Sequence, residues 1–121
     1  MEKSHLFKDN INVKSNNDIM IQLPTNENIV YSNKAIKFNR FGISKEISVI
    51  ITENYFLIFS KSKLKCKSKL IDILGVTKSL CTTIQGELVV HFKNERDRRI
   101  RSDFRDEIID LLKLFYRNLT K

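Results

Sequence analysis

The apolar residues of this chain change their spacing once, close to residue 103. Before that point they alternate with other residues in short runs, as Ile47, Val49 and Ile51 do in the segment EISVIIT. From Phe104 to Leu119 they recur every three or four residues instead. Alternation is typical of a strand, whereas the second spacing forms one apolar stripe on an α-helix. A chain with both patterns in this order is expected to fold as strands followed by one helix.

The alternating region divides into about seven short strands separated by polar turns. They are centred on residues 36–39, 46–52, 55–59, 64–70, 76–79, 87–92 and 98–102. The helix is predicted over residues 103–119, with Ser102 or Asp103 as its N-cap. Seven short antiparallel strands and one C-terminal amphipathic helix predict an α+β fold, in which the helix closes one end of a bent sheet or open barrel.

The first 28 residues are polar apart from one apolar island, IMIQL at residues 19–23. We interpret residues 1–28 as an extended arm that packs through this island, and residues 29–121 as a single domain with its own core. No apolar run is long enough to span a bilayer. Cys66 and Cys81 do not have the spacing of a metal site, and a two-cysteine chain of this kind indicates a reduced, cytoplasmic protein.

Basic charge is concentrated in the predicted sheet. The formal net charge is +8, and residues 28–102 alone hold fifteen basic residues against six acidic ones. Such an excess indicates an anionic partner, which could be a membrane surface, nucleic acid or an acidic protein. Nucleic acid is disfavoured, because the chain has no helix-turn-helix pattern, zinc spacing or RNA-binding aromatic motif.

Five lysines alternate with uncharged residues in the segment SKSKLKCKSKL: Lys61, Lys63, Lys65, Lys67 and Lys69. On a regular strand all five would share one face, and Leu64, Cys66, Ser68 and Leu70 would lie on the other. The turn before this strand divides the row, so Lys61 and Lys63 are predicted at the turn and Lys65, Lys67 and Lys69 on the strand. The row is either a binding face or the solvated side of a strand, where lysine discourages aggregation. Each lysine close to an anionic leaflet contributes about 1 kcal/mol, so three together would give a weak, salt-sensitive attachment.

Further candidate residues flank the predicted first hairpin: Lys37, Arg40 and Lys45, with Phe41 at its tip. An exposed aromatic side chain between basic groups suits a loop that enters a membrane, and the alternative is that Phe41 folds back onto the core. Arg99 and Arg101, in the segment RDRRIRS, are also candidates, because guanidinium groups bind phosphates and carboxylates well.

Four segments resemble, in order, elements of the class I myosin tail homology domain. They are VYSNKAIKFNR (30–40), ISVIITENYFLIF (47–59), LIDILGVTKS (70–79) and FRDEIIDLLKLFY (104–116). The resemblance implies a pleckstrin homology-like module, here without a motor, that binds acidic phospholipids including phosphoinositides. The family's phosphoinositide signature has a basic residue in each of the first two strands. Lys37 matches the first, and the second position falls on Ile47, two residues after Lys45.

These features predict a protein that is not an enzyme and has no cofactor or metal, because its two histidines are distant and it has no glycine-rich phosphate loop. The expected function is peripheral binding to anionic phospholipid membranes through the basic surface. The alternative is an accessory adaptor subunit that docks on an acidic protein in a cytoskeletal or ciliary assembly. Either function would place the protein in the cytoplasm, at a membrane or on the cytoskeleton.

Overall fold

A computed structural model describes residues 8–25, 27–38, 41–78 and 86–120 of the chain. These residues form eight strands and two α-helices. The strands are β1 (Lys8–Asp9), β2 (Ile29–Phe38), β3 (Ser44–Thr52), β4 (Tyr55–Ser60), β5 (Lys63–Lys69), β6 (Ile73–Lys78), β7 (Glu87–Phe92) and β8 (Arg98–Arg101). The helices are α1 (Asn17–Met20) and α2 (Arg105–Leu119), and single turns of 3₁₀ helix cover Val13–Ser15 and Leu70–Asp72.

The strands form one sheet in the order β5-β4-β3-β2-β8-β7-β6, in which neighbouring strands are antiparallel. β1 lies beside β2 and runs parallel to it. The sheet does not close on itself, so β5 and β6 are its two edges. The predicted seven strands and C-terminal helix are confirmed as β2–β8 and α2, and the arm adds β1 and α1.

The inner face of the sheet and helix α2 enclose the main core. The helix buries its apolar stripe there, with Ile108, Ile109, Leu111, Leu112 and Phe115 as its buried residues. Alternate residues of the strands, such as Val49 and Ile51 of β3, face this stripe. Burial of a side chain of this size contributes about 1.5–3 kcal/mol, so packing accounts for most of the stability of α2.

Helix α2 begins later than the sequence predicts. Its N-cap is Phe104, and neither Ser102 nor Asp103 caps the helix with its side chain. Ser102 is held in the sheet, because its N–H donates to the Gly86 carbonyl at 2.9 Å. Its hydroxyl accepts the Phe104 N–H at 3.0 Å. The chain therefore turns into the helix only after this last sheet contact.

The opposite face of the sheet is also apolar, and the arm covers it. A second cluster of buried residues, which we call the arm-side cluster, joins the two: Ile29, Ile50, Leu57 and Phe59 from the sheet, and Val13 and Ile19 from the arm. Ile19 belongs to the predicted apolar island, whereas Val13 lies outside it. Residues 8–25 of the arm are thus held by the body of the domain.

Asp9 fixes the first turn of the arm. Its carboxylate accepts hydrogen bonds from the Val13 N–H at 2.7 Å, the Lys14 N–H at 3.0 Å and the Ser32 hydroxyl at 2.6 Å. Burial raises the pKa of the Asp9 carboxyl, but the hydrogen bonds outweigh that effect and leave the pKa below its ordinary value of 3.8.

Replacing Asp9 tests this attachment. Asp9→Ala is expected to lower the free energy of unfolding by about 1–2 kcal/mol at neutral pH, because three donors lose a charged acceptor. The folded-state pKa is lowered, so the stabilisation is present above the unfolded-state pKa and is lost as pH falls below 3.8 through the folded-state pKa. Urea titrations at neutral and acidic pH measure both effects.

The matched control is Asp18→Ala in the same arm, since the Asp18 carboxylate has no hydrogen-bond partner among the described residues. An equal loss of stability in the two variants, or a loss in Asp9→Ala that persists unchanged in acid, would contradict this role.

Candidate anion-binding end of the sheet

Lys37 and Lys45 lie directly opposite each other on β2 and β3, close to the loop that joins these strands. Both side chains lie on the inner face of the sheet. The neighbouring pair on that face is Ala35 and Ile47, which belong to the main core. Facing residues in an antiparallel pair have Cβ atoms about 4.5–5.5 Å apart. Neither ammonium group has a carboxylate partner among the described residues. Two uncompensated positive charges at this separation favour a bound anion.

Apolar side chains project from the loop between these two lysines. Phe41 is 74% exposed and Ile43 is 65% exposed. Gly42 lies between them with a φ of +80°, a conformation that strains other residues. The exposure of Phe41 rules out the alternative in which its ring folds onto the core. Arg40, the other candidate in this hairpin, lies outside the described residues.

The turn between β4 and β5 brings more lysines to the same end of the sheet. Lys61 and Ser62 form this turn with φ values of 49° and 66°, as in two-residue hairpin turns that usually hold Asn-Gly. Lys61 and Lys34 of β2 line a groove on the arm side of the sheet, and the start of β3, from Lys45 to Ser48, runs along it. Lys63 follows the turn as the first residue of β5.

An amide side chain from the arm holds this turn in place. Gln22 donates to the Ser62 carbonyl at 2.6 Å and accepts the Leu64 N–H at 2.9 Å. The arm therefore contributes to the position of Lys61. We call the resulting surface the basic end; its residues are Lys37, Lys45, Lys61 and Lys63, with Phe41 and Ile43.

The five alternating lysines do not share one face, and they divide as predicted into Lys61 and Lys63 beside the turn and Lys65, Lys67 and Lys69 along the strand. A β-bulge interrupts the pairing of β5 with β4, so that Cys66 faces Ile58 whereas Leu64 faces the next residue, Phe59. The extra residue reverses the alternation between Leu64 and Cys66. Leu64 accordingly packs against the arm-side cluster and Cys66 against the main core. The lysines on the two sides of the bulge therefore belong to opposite faces as well.

Lys65, Lys67 and Lys69 form a separate group, which we call the edge lysines. All three are exposed on β5, an edge strand, and the Lys67 Nζ lies 5.2 Å from the centre of the Tyr55 ring. Lys69 is six residues beyond Lys63, about 20 Å along a strand. That distance exceeds the Debye length of about 8 Å at physiological salt. The edge lysines thus fit the role of protecting an edge from aggregation.

Arg99 and Arg101 lie on the outer face of β8, because Ile100 between them belongs to the main core. Arg99 forms an ion pair with Glu87 at 2.5 Å, and its guanidinium lies 5.3 Å from the centre of the Phe38 ring. Arg101 lies opposite Glu87 on the neighbouring strand. These two arginines therefore do not join Lys37 and Lys45, which face inward.

Three residues in or next to the basic end were not identified in the sequence: Ile43, Lys34 and Gln22. Ile43 carried a usable signal, since it is an apolar residue directly after the turn glycine. Lys34 is brought to the groove by strand pairing, and Gln22 by the path of the arm. Neither arrangement follows from local sequence spacing.

His91 lies on β7 and is half-buried at the sheet surface. Thr77 Oγ1 is 2.6 Å from its Nε2 and Asp97 Oδ2 is 2.9 Å from its Nδ1, contacts that join β6, β7 and the loop before β8. In the described ranges no group of three or more His, Cys, Asp or Glu residues is placed to hold a metal ion. None of the helices in those ranges is long and apolar enough to cross a membrane.

No protein-family model and no curated protein sequence matches this chain. Solved structures match it in fold. A pleckstrin homology domain determined in solution has a TM-score of 0.63 at 12% identity, and the match covers 79% of this chain and 92% of that domain. The sub-compartment protein 3 of the inner membrane complex of Toxoplasma gondii has a TM-score of 0.59 at 13% identity, with 74% and 77% covered.

The truncated linker-DH/PH fragment of p115-RhoGEF also matches, with a TM-score of 0.64 at 10% identity. The match covers 88% of this chain but 35% of that fragment, so the chain corresponds to about a third of it. At these identities the similarity shows the fold alone. The chain has a pleckstrin homology-like α+β fold.

The opposition of Lys37 and Lys45 predicts a gain in stability when one charge is removed. Lys45→Gln is expected to raise the free energy of unfolding by about 0.2–1 kcal/mol at low ionic strength. The gain should shrink in high salt, which screens the repulsion. Lys34→Gln is the control, because Lys34 faces Ser48 rather than another charge. Thermal unfolding at two salt concentrations measures the effect, and an equal gain in both variants would contradict the repulsion.

Proposed function

We propose that this chain is a non-catalytic, pleckstrin homology-like module that binds anionic phospholipid surfaces through its basic end. The observation that carries the proposal is the pairing of Lys37 with Lys45 beside a loop that exposes Phe41 and Ile43. The lysines would meet lipid phosphates while the two apolar side chains enter the interface between headgroups and acyl chains.

The magnitudes favour a reversible attachment. Each lysine near an anionic leaflet contributes about 1 kcal/mol, so the four lysines of the basic end contribute about 4 kcal/mol. Full burial of the Phe41 side chain would add about 1.5–3 kcal/mol. A total of this size, before the cost of association, corresponds to weak binding that salt reduces but does not abolish.

The closer relation to class I myosin tail homology domains is part of the proposal. Its support is the order of the four resembling segments. In that resemblance Ile47 occupies the second signature position and faces the core, whereas Lys45 lies opposite Lys37. We therefore propose that Lys45 takes the place of the second basic residue.

The second candidate function is an adaptor that docks its basic end on an acidic protein. An arm held in place by a partner would favour this function, but the body of the domain holds residues 8–25 itself. The exposed Phe41 and Ile43 suit the apolar layer of a membrane better than a purely acidic protein surface.

Sedimentation with phosphatidylserine vesicles separates the basic end from the edge lysines. The pair Lys37→Gln and Lys45→Gln is expected to weaken binding by about 2 kcal/mol, roughly thirtyfold. The double variant Lys67→Gln and Lys69→Gln removes the same number of positive charges away from the basic end and is expected to change binding little. Phe41→Ser should make the remaining binding more sensitive to salt, because its apolar part is lost.

Equal losses in the two double variants would contradict the assignment of the site to the basic end. A chain that ignores vesicles but retains a stoichiometric acidic protein at high salt would favour the adaptor function instead.

A further inference from the structure

The two edges of the sheet differ in chemistry. Strand β5 carries four exposed lysines along its edge. Strand β6, the other edge, begins with the segment ILGV, and among the described residues it pairs only with β7. Edge strands present unpaired backbone N–H and C=O groups, and charged side chains are a common protection against strand addition. The first four residues of β6 carry no charged side chain, although a β-bulge interrupts their pairing with β7 between Ile73 and Gly75.

A groove of about 210 Å³ separates this edge from helix α2. Ile73, Leu74, Gly75 and Val76 line it from the strand, and Leu112 and Tyr116 from the helix. Leu74 is 70% exposed. At Gly75 nothing lies within 4 Å of the position that a Cβ would occupy, so the face of the strand is open at that residue. The groove has room for an apolar side chain beside an accessible strand edge.

The charge at the groove narrows the choice of occupant. Lys113 of α2 is the one charged residue in the lining, and no carboxylate partner of Lys113 lies within the described part of the chain. Arg117, one helical turn further, is also exposed. A segment bound here would therefore gain from an acidic residue next to its apolar one.

We propose that the free edge of β6 and the β6–α2 groove bind an extended segment of a partner protein, in which an apolar residue lies beside aspartate or glutamate. The segment adds to the sheet as a further strand, so backbone hydrogen bonds hold it while the groove and Lys113 select its side chains. A second copy of this chain is a poorer occupant, because each copy carries a net charge of +8 and brings its own Lys113.

Selection of a displayed random peptide library on the whole chain, followed by NMR with a labelled synthetic copy of a selected peptide, tests the proposal. The selected peptides are expected to share an apolar residue next to an acidic one. The backbone amides of Ile73–Lys78 and the last turns of α2 should shift on binding. Leu74→Asp should lower the affinity for the peptide roughly tenfold or more, as expected for a residue at the centre of an interface.

Leu74 is exposed, so Leu74→Asp should unfold at the same temperature as the unmodified chain and should bind vesicles unchanged. Lys113→Gln should weaken binding of the peptide less than Leu74→Asp does, and it should reduce the salt dependence of that binding. Lys69→Asp on the opposite edge is the matched control and should leave peptide binding intact. The proposal would be overturned if no acidic peptide were recovered or if the shifts were confined to other strands. Self-association that Leu74→Asp abolishes would also overturn it.

Discussion

Strands β3 and β4 carry apolar side chains on both faces, and the rest of the structure depends on covering both. In β4, Phe56 and Ile58 enter the main core, whereas Leu57 and Phe59 lie in the arm-side cluster. Exposure of either pair to water would cost about 1.5–3 kcal/mol for each side chain. Helix α2 covers one face and the arm covers the other, so the arm is a structural layer of the domain.

The position of the candidate site follows from where helix α2 and the arm stop covering the two faces of the sheet. On the inner face the core ends at Ala35 and Ile47, and the next pair toward the loop is Lys37 and Lys45. On the outer face the path of the arm brings Gln22 to the β4–β5 turn, beside Lys61. The charges that give the domain its proposed function thus lie where each apolar layer stops, which places them at one end.

The order of elements could be predicted from sequence because it depends on local periodicity. Alternation in EISVIIT and the helical stripe from Ile108 to Phe115 each report a burial pattern within one element, whereas Phe104 at the predicted start of the stripe is 52% exposed. The continuous apolar run YFLIF also signalled two buried faces, and it could have pointed to a cover for the second one. The island at residues 19–23 predicted that the arm packs, but it did not indicate which face the arm covers or that Val13 takes part.

The site was less predictable, because it depends on pairing between strands. The division of the alternating lysines into a turn group and a strand group could be predicted, but the bulge between Leu64 and Cys66 that places the groups on opposite faces leaves no mark in the residue types. The opposition of Lys37 and Lys45 is set by the register of the β2–β3 hairpin, which a shift of one residue would reverse. The lysines of the basic end could therefore be identified from the sequence, but the direct pairing of Lys37 with Lys45 and the face on which each lysine lies could not.

The most direct test that the basic end contacts the membrane is NMR of the chain bound to phosphatidylserine nanodiscs. The nanodiscs contain a lipid with a paramagnetic label on its headgroup, which broadens the signals of nearby amides. Our account predicts the strongest broadening for the amides from Phe41 to Lys45 and of Lys61 and Lys63, with much weaker broadening at Lys67 and Lys69. Broadening that is strongest along the edge lysines, or equal over the whole surface, would contradict it.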